Sequence, residues 1–333
     1  MPADLDRRTY DLLRLIRVNE PIGSIRLVDL LQQRGYEIKG RTVRLMLSDL
    51  DEAGLTEKVP GKGRRLTEEG YAELDRGDVG GRLRQVRERI ATLTSQVTYD
   101  PTEDAGELLP CTARVARDDV PDAFDALEAL GDSSLGPAMV AARVVDDAVE
   151  LGLPSSITLD GVLLSRGIDV NLTTAGLVEY RPADGTVIRY IDTLSGEGST
   201  MDVVSLLIEA GRTDVDATLA GETGVLIVDN REFPLTRFAE GEDLATATTT
   251  RLGGVLDIRR PRESGPFPRG EPSWDFASLT YGGVGELALA LLAERSLVDS
   301  WETLGEPVAR SAFEPASVVR AALAEDGVET EEE

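Results

Sequence analysis

The charge of this 333-residue chain changes character at one place, and that break argues against a single uniformly built domain. Residues 1–95 hold 18 Lys/Arg against 16 Asp/Glu, a net of +2, while the remaining 238 hold 17 against 45, a net of −28. All three lysines (Lys39, Lys58 and Lys62) fall in the first part. The length also favours two domains over one. A polyanion would be repelled by the second part and accepted only by the first.

The hydrophobic pattern changes at the same place. Leu5, Thr9, Leu12, Leu13 and Ile16 recur at helical spacing, and Asn19-Glu20-Pro21-Ile22-Gly23 ends that helix. Ser24 can cap a second helix with Ile25, Leu27, Val28 and Leu31 on its apolar face, ending at Gly35. A third helix starts near Gly40, turns Val43, Met46 or Leu47, and Leu50 inward, and ends at Gly54. Leu55–Val59 and Arg64–Thr67 then read as strands around the turn Pro60-Gly61-Lys62-Gly63. Helix, helix, helix, hairpin is the order of a winged helix-turn-helix, predicted here over residues 1–78.

In that motif the third helix enters the DNA major groove. With Val43, Leu47 and Leu50 inside, Lys39, Arg41, Thr42, Arg44, Leu45 and Ser48 face outward. Arg41 or Arg44 suits guanine, Thr42 and Ser48 suit bases or phosphates, and Leu45 suits a thymine methyl. Lys62, Arg64 and Arg65 on the wing suit phosphates or a minor groove. A winged helix that docks a protein partner is the competing reading.

Residues 79–98 read as a linker helix. Leu83, Val86, Ile90, Leu93 and Val97 stand 3, 4, 3 and 4 apart, the seam of a coiled coil. Two heptads are too few to hold a dimer alone. A homodimer joined there would present two recognition helices to a palindromic operator in double-stranded DNA. A helix lying on its own chain's body would carry the same spacing.

From residue 99 to 325 the pattern is mixed, so the fold class expected for the whole is α+β, with an acidic tail at 326–333. Ser156–Leu164, Gly176–Tyr180, Thr186–Ile191 and Gly224–Val228 read as strands, and Asp184-Gly185 marks a hairpin. Val120–Leu130, Ser199–Ala210 and Glu286–Ala293 read as helices. Antiparallel sheets with helices on one face are expected. Leu194–Leu219 and Leu279–Leu304 share eight identities in 26 positions, which points to an internal duplication.

Composition limits the chemistry. Histidine is absent, which removes the commonest general base and metal ligand. Cys111 is the single cysteine, so no internal disulfide forms, which fits a reducing cytoplasm. Apolar runs are too short to cross a bilayer, so no membrane is expected as partner, and residues 1–6 lack the pattern of a signal peptide. Thirty-two arginines against three lysines at a pI near 4.4 fit a halophilic protein, or an acidic one from a GC-rich genome. The sequence carries no catalytic or metal-binding constellation, so the chain is not read as an enzyme and no cofactor is expected.

Several motifs act as a set: Gly40-Arg41-Thr42-Val43-Arg44 in the head, then Ser156-Ile157-Thr158-Leu159-Asp160-Gly161-Val162-Leu163-Leu164, Gly167-Ile168, Gly176-Leu177-Val178-Glu179, Ser199-Thr200-Met201-Asp202 and Arg231-Glu232-Phe233-Pro234. In this order they resemble the archaeal nitrogen regulatory repressor family, NrpR, over nearly the whole chain. The resemblance implies a winged helix joined to an effector domain, a dimeric repressor of nitrogen-assimilation genes, and release from DNA by 2-oxoglutarate. It also implies that a PII-type signalling protein is a candidate partner.

A dicarboxylate needs backbone N–H groups, hydroxyls and an arginine. Two Gly-rich turns lead into helices, at Ser195–Thr200 and at Thr280–Gly285, and could seat a carboxylate or simply cap. Thr158, Ser199 and Thr200, then Gly198, Asn171 and Arg237, are the candidate effector residues. A winged-helix interaction adaptor, and an enzyme with a regulatory head, are the alternatives to the repressor.

Overall fold

Three amphipathic helices and a hairpin build the head, in the predicted order. The computed structural model describes residues 7–33, 35–36, 38–77, 88–194, 200–268, 270 and 272–325. Residue contacts divide the chain into two units, Met1–Gln85 and Val86–Glu333. The head comprises α1 (Arg7–Asn19), α2 (Ser24–Gln33), α3 (Gly40–Glu52), β1 (Thr56–Val59), β2 (Gly63–Leu66) and α4 (Glu68–Gly77). Each helix buries one stripe: Leu12, Leu13 and Ile16 from α1, Leu27 and Leu31 from α2, and Val43, Leu47 and Leu50 from α3. Ile25, placed on the inner face by spacing alone, is exposed, whereas Leu27 and Leu31 of the same expected face are buried.

The body begins with α5 (residues 88–94). It continues through β3 (Glu107–Leu108), β4 (Pro110–Ala116), α6 (Val120–Asp132), β5 (Met139–Val145), β6 (Ala148–Pro154), α7 (Ile157–Ser165), β7 (Asn171–Arg181), β8 (Thr186–Leu194), α8 (Thr200–Glu209) and α9 (Val215–Leu219). Then follow β9 (Gly224–Pro234), α10 (Phe238–Leu252), β10 (Val255–Arg259), β11 (Phe276–Gly282), α11 (Val284–Glu294), β12 (Ser300–Glu302), β13 (Val308–Ala309), β14 (Glu314–Pro315) and α12 (Ala316–Glu325). Two antiparallel five-stranded sheets result, ordered β12-β4-β6-β5-β14 and β10-β11-β9-β7-β8. The hairpin at Asp184-Gly185 joins β7 to β8 as expected, with Gly185 in the left-handed region that a tight turn requires.

One predicted strand is a helix. Ser156–Leu164 forms most of α7, and every residue from Ile157 to Leu163 is buried. A segment apolar on all sides carries neither a 2-residue nor a 3.6-residue period, so its pattern could not separate strand from helix. The central helix α11 is of the same kind, buried without a break from Val284 to Leu292. It packs on β4 and β6 of one sheet and on β9 of the other, so it lies against both sheets and not on one outer face.

The body does contain a repeat, but not the one aligned from sequence. The series β4, α6, β5, β6, α7 returns as β9, α10, β10, β11, α11, and the strands pair in the matching orders β4-β6-β5 and β9-β11-β10. The expected pairing of Leu194–Leu219 with Leu279–Leu304 sets α8 and α9, which lie between the two copies, against β11 and α11. Accordingly Leu206 is 56% exposed whereas its supposed counterpart Leu291 is fully buried. Leucine-rich helices align by composition without sharing a place in the fold.

The linker's last turns belong to the body. Leu93 and Val97 are 4% and 5% exposed within a core that includes Ile157, Leu159, Val162, Leu163 and Phe238, and Ile90 packs against that core. These residues are therefore consumed within their own chain, because a side chain already buried has no apolar face left for a partner helix. Leu83 and Val86 lie outside the described residues. Val97 packs so tightly on α7 that a Cβ at Gly161 would sit 2.3 Å from its own Cβ. Gly161→Ala is expected to lower unfolding free energy by roughly 1–3 kcal/mol through overpacking, despite alanine's better helix propensity. Denaturant unfolding measures this, and unchanged stability would show that Val97 is not held there.

Candidate functional site

On the head, α3 presents the predicted surface. Lys39, Arg41, Thr42, Arg44, Leu45 and Ser48 are all exposed, opposite buried Val43, Leu47 and Leu50. Among the described residues no ion pair involves Lys39, Arg41, Arg44 or Lys62. The two wing arginines are engaged. Arg64 makes a two-pronged pair with Asp51 of α3, with Nε 3.0 Å from both carboxylate oxygens and Nη2 2.9 Å from Oδ2. Arg65 donates to Glu57 across the hairpin at 2.6 Å. Arg64 thus fastens the wing to α3, a bidentate geometry that adds rigidity.

The proposed effector residues of the body do not converge on one cavity. Thr158 is buried, and its hydroxyl donates to the Leu109 carbonyl and accepts from the Leu109 N–H, each at 3.1 Å. It anchors α7 to the segment ahead of β4. Asn171 is exposed at the start of β7. Arg237 donates to Glu240 and to the carbonyls of Arg166 and Gly167, closing the end of α7. Gly198 and Ser199 lie outside the described residues, and of Thr200 only the backbone, opening α8, is described.

The structure instead gathers charges from three separate elements, α7, β9 and α11. Arg231 on β9 is fully buried and pairs with Asp160 of α7 through Nε–Oδ1 and, at 3.1 Å, Nη2–Oδ2. Its Nη2 also lies 3.3 Å from the Ser156 carbonyl and 3.8 Å from Asp229 Oδ2. Burial opposes the guanidinium charge, but the adjacent Asp160 and Asp229 outweigh it and hold the group protonated. Glu286, on the first turn of α11, accepts from Ser155 Oγ at 2.7 Å and from the Ser156 N–H at 3.0 Å. A carboxylate from one helix therefore sits at the positive end of another, α7. Ser156 Oγ donates to Asp229 Oδ2 at 2.8 Å, while Asp229 Oδ1 has no hydrogen-bond partner among the described residues.

These groups border a narrow, closely packed cleft, lined by Ser156, Asp229, Tyr281, Gly282, Gly283 and Glu286 on its polar side and Val204, Ile227 and Val228 on its apolar side. The second Gly-rich turn thus does border a cleft. A Cβ at Gly283 would stand 2.6 Å from Glu286 Oε2 and 2.7 Å from Ser156 N, so only glycine permits this approach. Thr158, Asn171 and Arg237 do not line it. Cys111, fully buried nearby, has its thiol pushed well up by burial, with Glu286 adding to the effect, so it is no nucleophile. The signal sequence reasoning missed was a lone acid in an apolar segment, at Asp160 and at Glu286.

The comparisons agree with this division. Residues 10–74 match the ribonuclease R winged-helix domain, and residues 83–284 match the NrpR regulatory domains NRD1 and 2. The chain belongs to the NrpR family. It is 28% identical over 275 residues to the global nitrogen regulator NrpRI of Methanosarcina mazei, covering 78% of this chain and 83% of that protein. It is 29% identical over 236 residues to the global nitrogen regulator NrpR of Methanocaldococcus jannaschii, spanning 69% of this chain but 42% of that protein. The crystal structure of a nitrogen repressor-like protein from Methanococcus jannaschii superposes with a TM-score of 0.56 at 20% identity, covering 69% of this chain and 97% of that one, a likeness of fold. No described helix is long and apolar enough to cross a membrane.

Burial pushes Asp229 from 3.8 up to about 7; Arg231 pulls the other way, and Glu286 adds to the rise. An acid whose folded pKa is raised contributes stability that is present below its unfolded value and lost as pH rises through the folded one. Asp229→Asn should remove that loss. In denaturant unfolding, the stability of the variant relative to the wild type should climb from about pH 4 to about pH 7 and level off above, the window set by those two values. A difference independent of pH would show that Asp229 does not titrate there.

Proposed function

We propose that this protein is a DNA-binding transcriptional repressor of nitrogen-assimilation genes, acting as a homodimer on a palindromic operator. The observation that carries this reading is the exposed set on α3, whose cations make no ion pair among the described residues, on a head joined to an NrpR-family body. Its relatives' names supply the regulated process. The strongly acidic body confines nucleic acid to the head. Arg64, held by Asp51, serves the shape of the wing, leaving Arg41 and Arg44 for bases.

The effector of this reading is 2-oxoglutarate, which weakens DNA binding by favouring one arrangement of the dimer. Its two carboxylates need N–H and hydroxyl donors, which the turn entering α8 at Ser199 and Thr200 offers by composition. The cleft beside Asp229 and Glu286 presents carboxylates and suits an anion poorly.

Binding of purified protein to a promoter fragment of a nitrogen-assimilation gene tests the first part. Arg41→Ala and Arg44→Ala should each weaken specific binding by roughly 1–3 kcal/mol per lost guanine contact, without lowering the melting temperature. Undiminished affinity in the double variant would remove the recognition role of α3. For the effector, Thr200→Val should weaken 2-oxoglutarate binding in calorimetry by about ten- to a hundredfold, the worth of one charge-assisted hydrogen bond. Unchanged affinity in a stable variant would move the effector away from this turn.

A further inference from the structure

One carboxylate of α3 gathers both strands of the wing. Asp51, in the last turn of that helix, accepts from the Arg64 guanidinium of β2 on both oxygens, with Nε 3.0 Å from each and Nη2 2.9 Å from Oδ2. From β1, the Thr56 hydroxyl donates to Oδ1 at 2.6 Å, and the Lys58 ammonium stands 3.9 Å from Oδ2. Lys58 and Arg64 lie opposite each other in the hairpin register and so share one face, the face turned to Asp51. The free edge of β2 is pinned as well, because the Arg64 backbone exchanges both its hydrogen bonds with Ile22, at 2.9 and 3.0 Å. The hairpin is therefore held to the helical part of the head at two places, and only Asp51 ties it to α3 from both strands.

These contacts leave the wing's lysines to spare. Arg64 occupies both oxygens of Asp51, and Lys58 beside it keeps 73% of its side chain exposed. Lys62 at the tip is exposed and makes no ion pair among the described residues. An ammonium is a point charge on a flexible stem, so its reach to a phosphate is decided by where the backbone beneath it is fixed. Given the DNA-binding reading of the head, on which the assignment rests, we propose that Asp51 is a positioning residue for DNA binding. By clamping β2 through Arg64 and β1 through Thr56, it sets Lys58 and Lys62 on the phosphate backbone while α3 occupies the groove. Lys58, which the sequence pattern did not single out, is thereby a phosphate contact.

The sign of one substitution separates positioning from plain electrostatics. Asp51→Asn keeps the shape of the side chain and removes its charge. For an acid that is merely near DNA, that change strengthens binding and steepens its dependence on salt, because Arg64 and Lys58 are released toward phosphates. With Asp51 holding the wing, the same change weakens binding and flattens the dependence, because the lysines lose their placement. Arg64→Lys approaches the clamp from the other side. It keeps the positive charge of β2 and removes the two-pronged geometry.

The test is equilibrium binding of the full chain to a promoter fragment of a nitrogen-assimilation gene over a series of potassium chloride concentrations. Each phosphate contact adds about 0.9 to the slope of log affinity against log salt, so one lost contact costs about eightfold near 0.1 M salt. Asp51→Asn and Arg64→Lys should each lose about one to two contacts, roughly eight- to sixtyfold, with a correspondingly flatter slope. Lys58→Ala should lose about one contact in the wild-type chain and none in the Asp51→Asn background, a coupling that lowered stability alone does not produce. Thermal unfolding sets a temperature at which the variants are folded, and if Asp51→Asn does not fold, Arg64→Lys carries the test. Stronger binding or a steeper slope in folded Asp51→Asn, wild-type affinity in Arg64→Lys, or an undiminished effect of Lys58→Ala in Asp51→Asn would each overturn the proposal alone. A wild-type chain that leaves the fragment unbound would overturn the DNA-binding reading, and the proposal with it.

Discussion

The body depends on a buried guanidinium. Arg231 can be fully enclosed only because Asp160 meets it from α7 and two backbone carbonyls take further N–H groups. A pair so placed is not a source of large net stability, since the desolvation of both ions offsets most of their attraction. Its value is positional. It fixes the strand β9 of one sheet against α7, the helix that follows β6 of the other sheet, and so sets the register in which the two copies of the strand–helix repeat face each other. Glu286 completes the arrangement from α11 by holding the N–H of Ser156, the residue that precedes α7. With those three contacts made, two helix starts and the end of a strand come together, and the cleft is what their side chains leave unfilled.

That geometry explains what the sequence disclosed and what it hid. The head was legible because each of its helices buries a single stripe. The period of Val43, Leu47 and Leu50 therefore determined in advance that Arg41, Thr42 and Arg44 would face out. Spacing could not tell which wing arginine faces solvent, because Arg64 and Arg65 alternate on one strand and only the position of Asp51 decides between them. In the body, α7 and α11 are enclosed on every side, and a segment with no exposed face has no periodicity to read. The hairpins, set by local turn chemistry, were legible even there.

The site was hidden for a different reason. Hydroxyls and glycines near helix starts attract attention as anion binders, yet Thr158 spends its hydroxyl on Leu109 and Arg237 spends its guanidinium on the end of α7. Local hydrogen bonding claims such residues before any ligand can. The informative residues were Asp160 and Glu286, acids stranded among leucines, where the cost of burying a charge demands a partner brought from far along the chain. Asp229 and Arg231 lie two apart on one strand and therefore on one face, but only the fold reveals that this face meets Asp160.

Val97 gives the contact with Gly161 a mechanical meaning. The helix α7 has its preceding residue Ser156 at the edge of the cleft, its second turn under Val97, and the carbonyls just past its end, of Arg166 and Gly167, on Arg237. Val97 is thus seated on the same helix whose cap touches the cleft, with no room between Val97 and Gly161 even for a methyl group. A shift of α7 at Gly161 must therefore carry Val97 with it or break their contact.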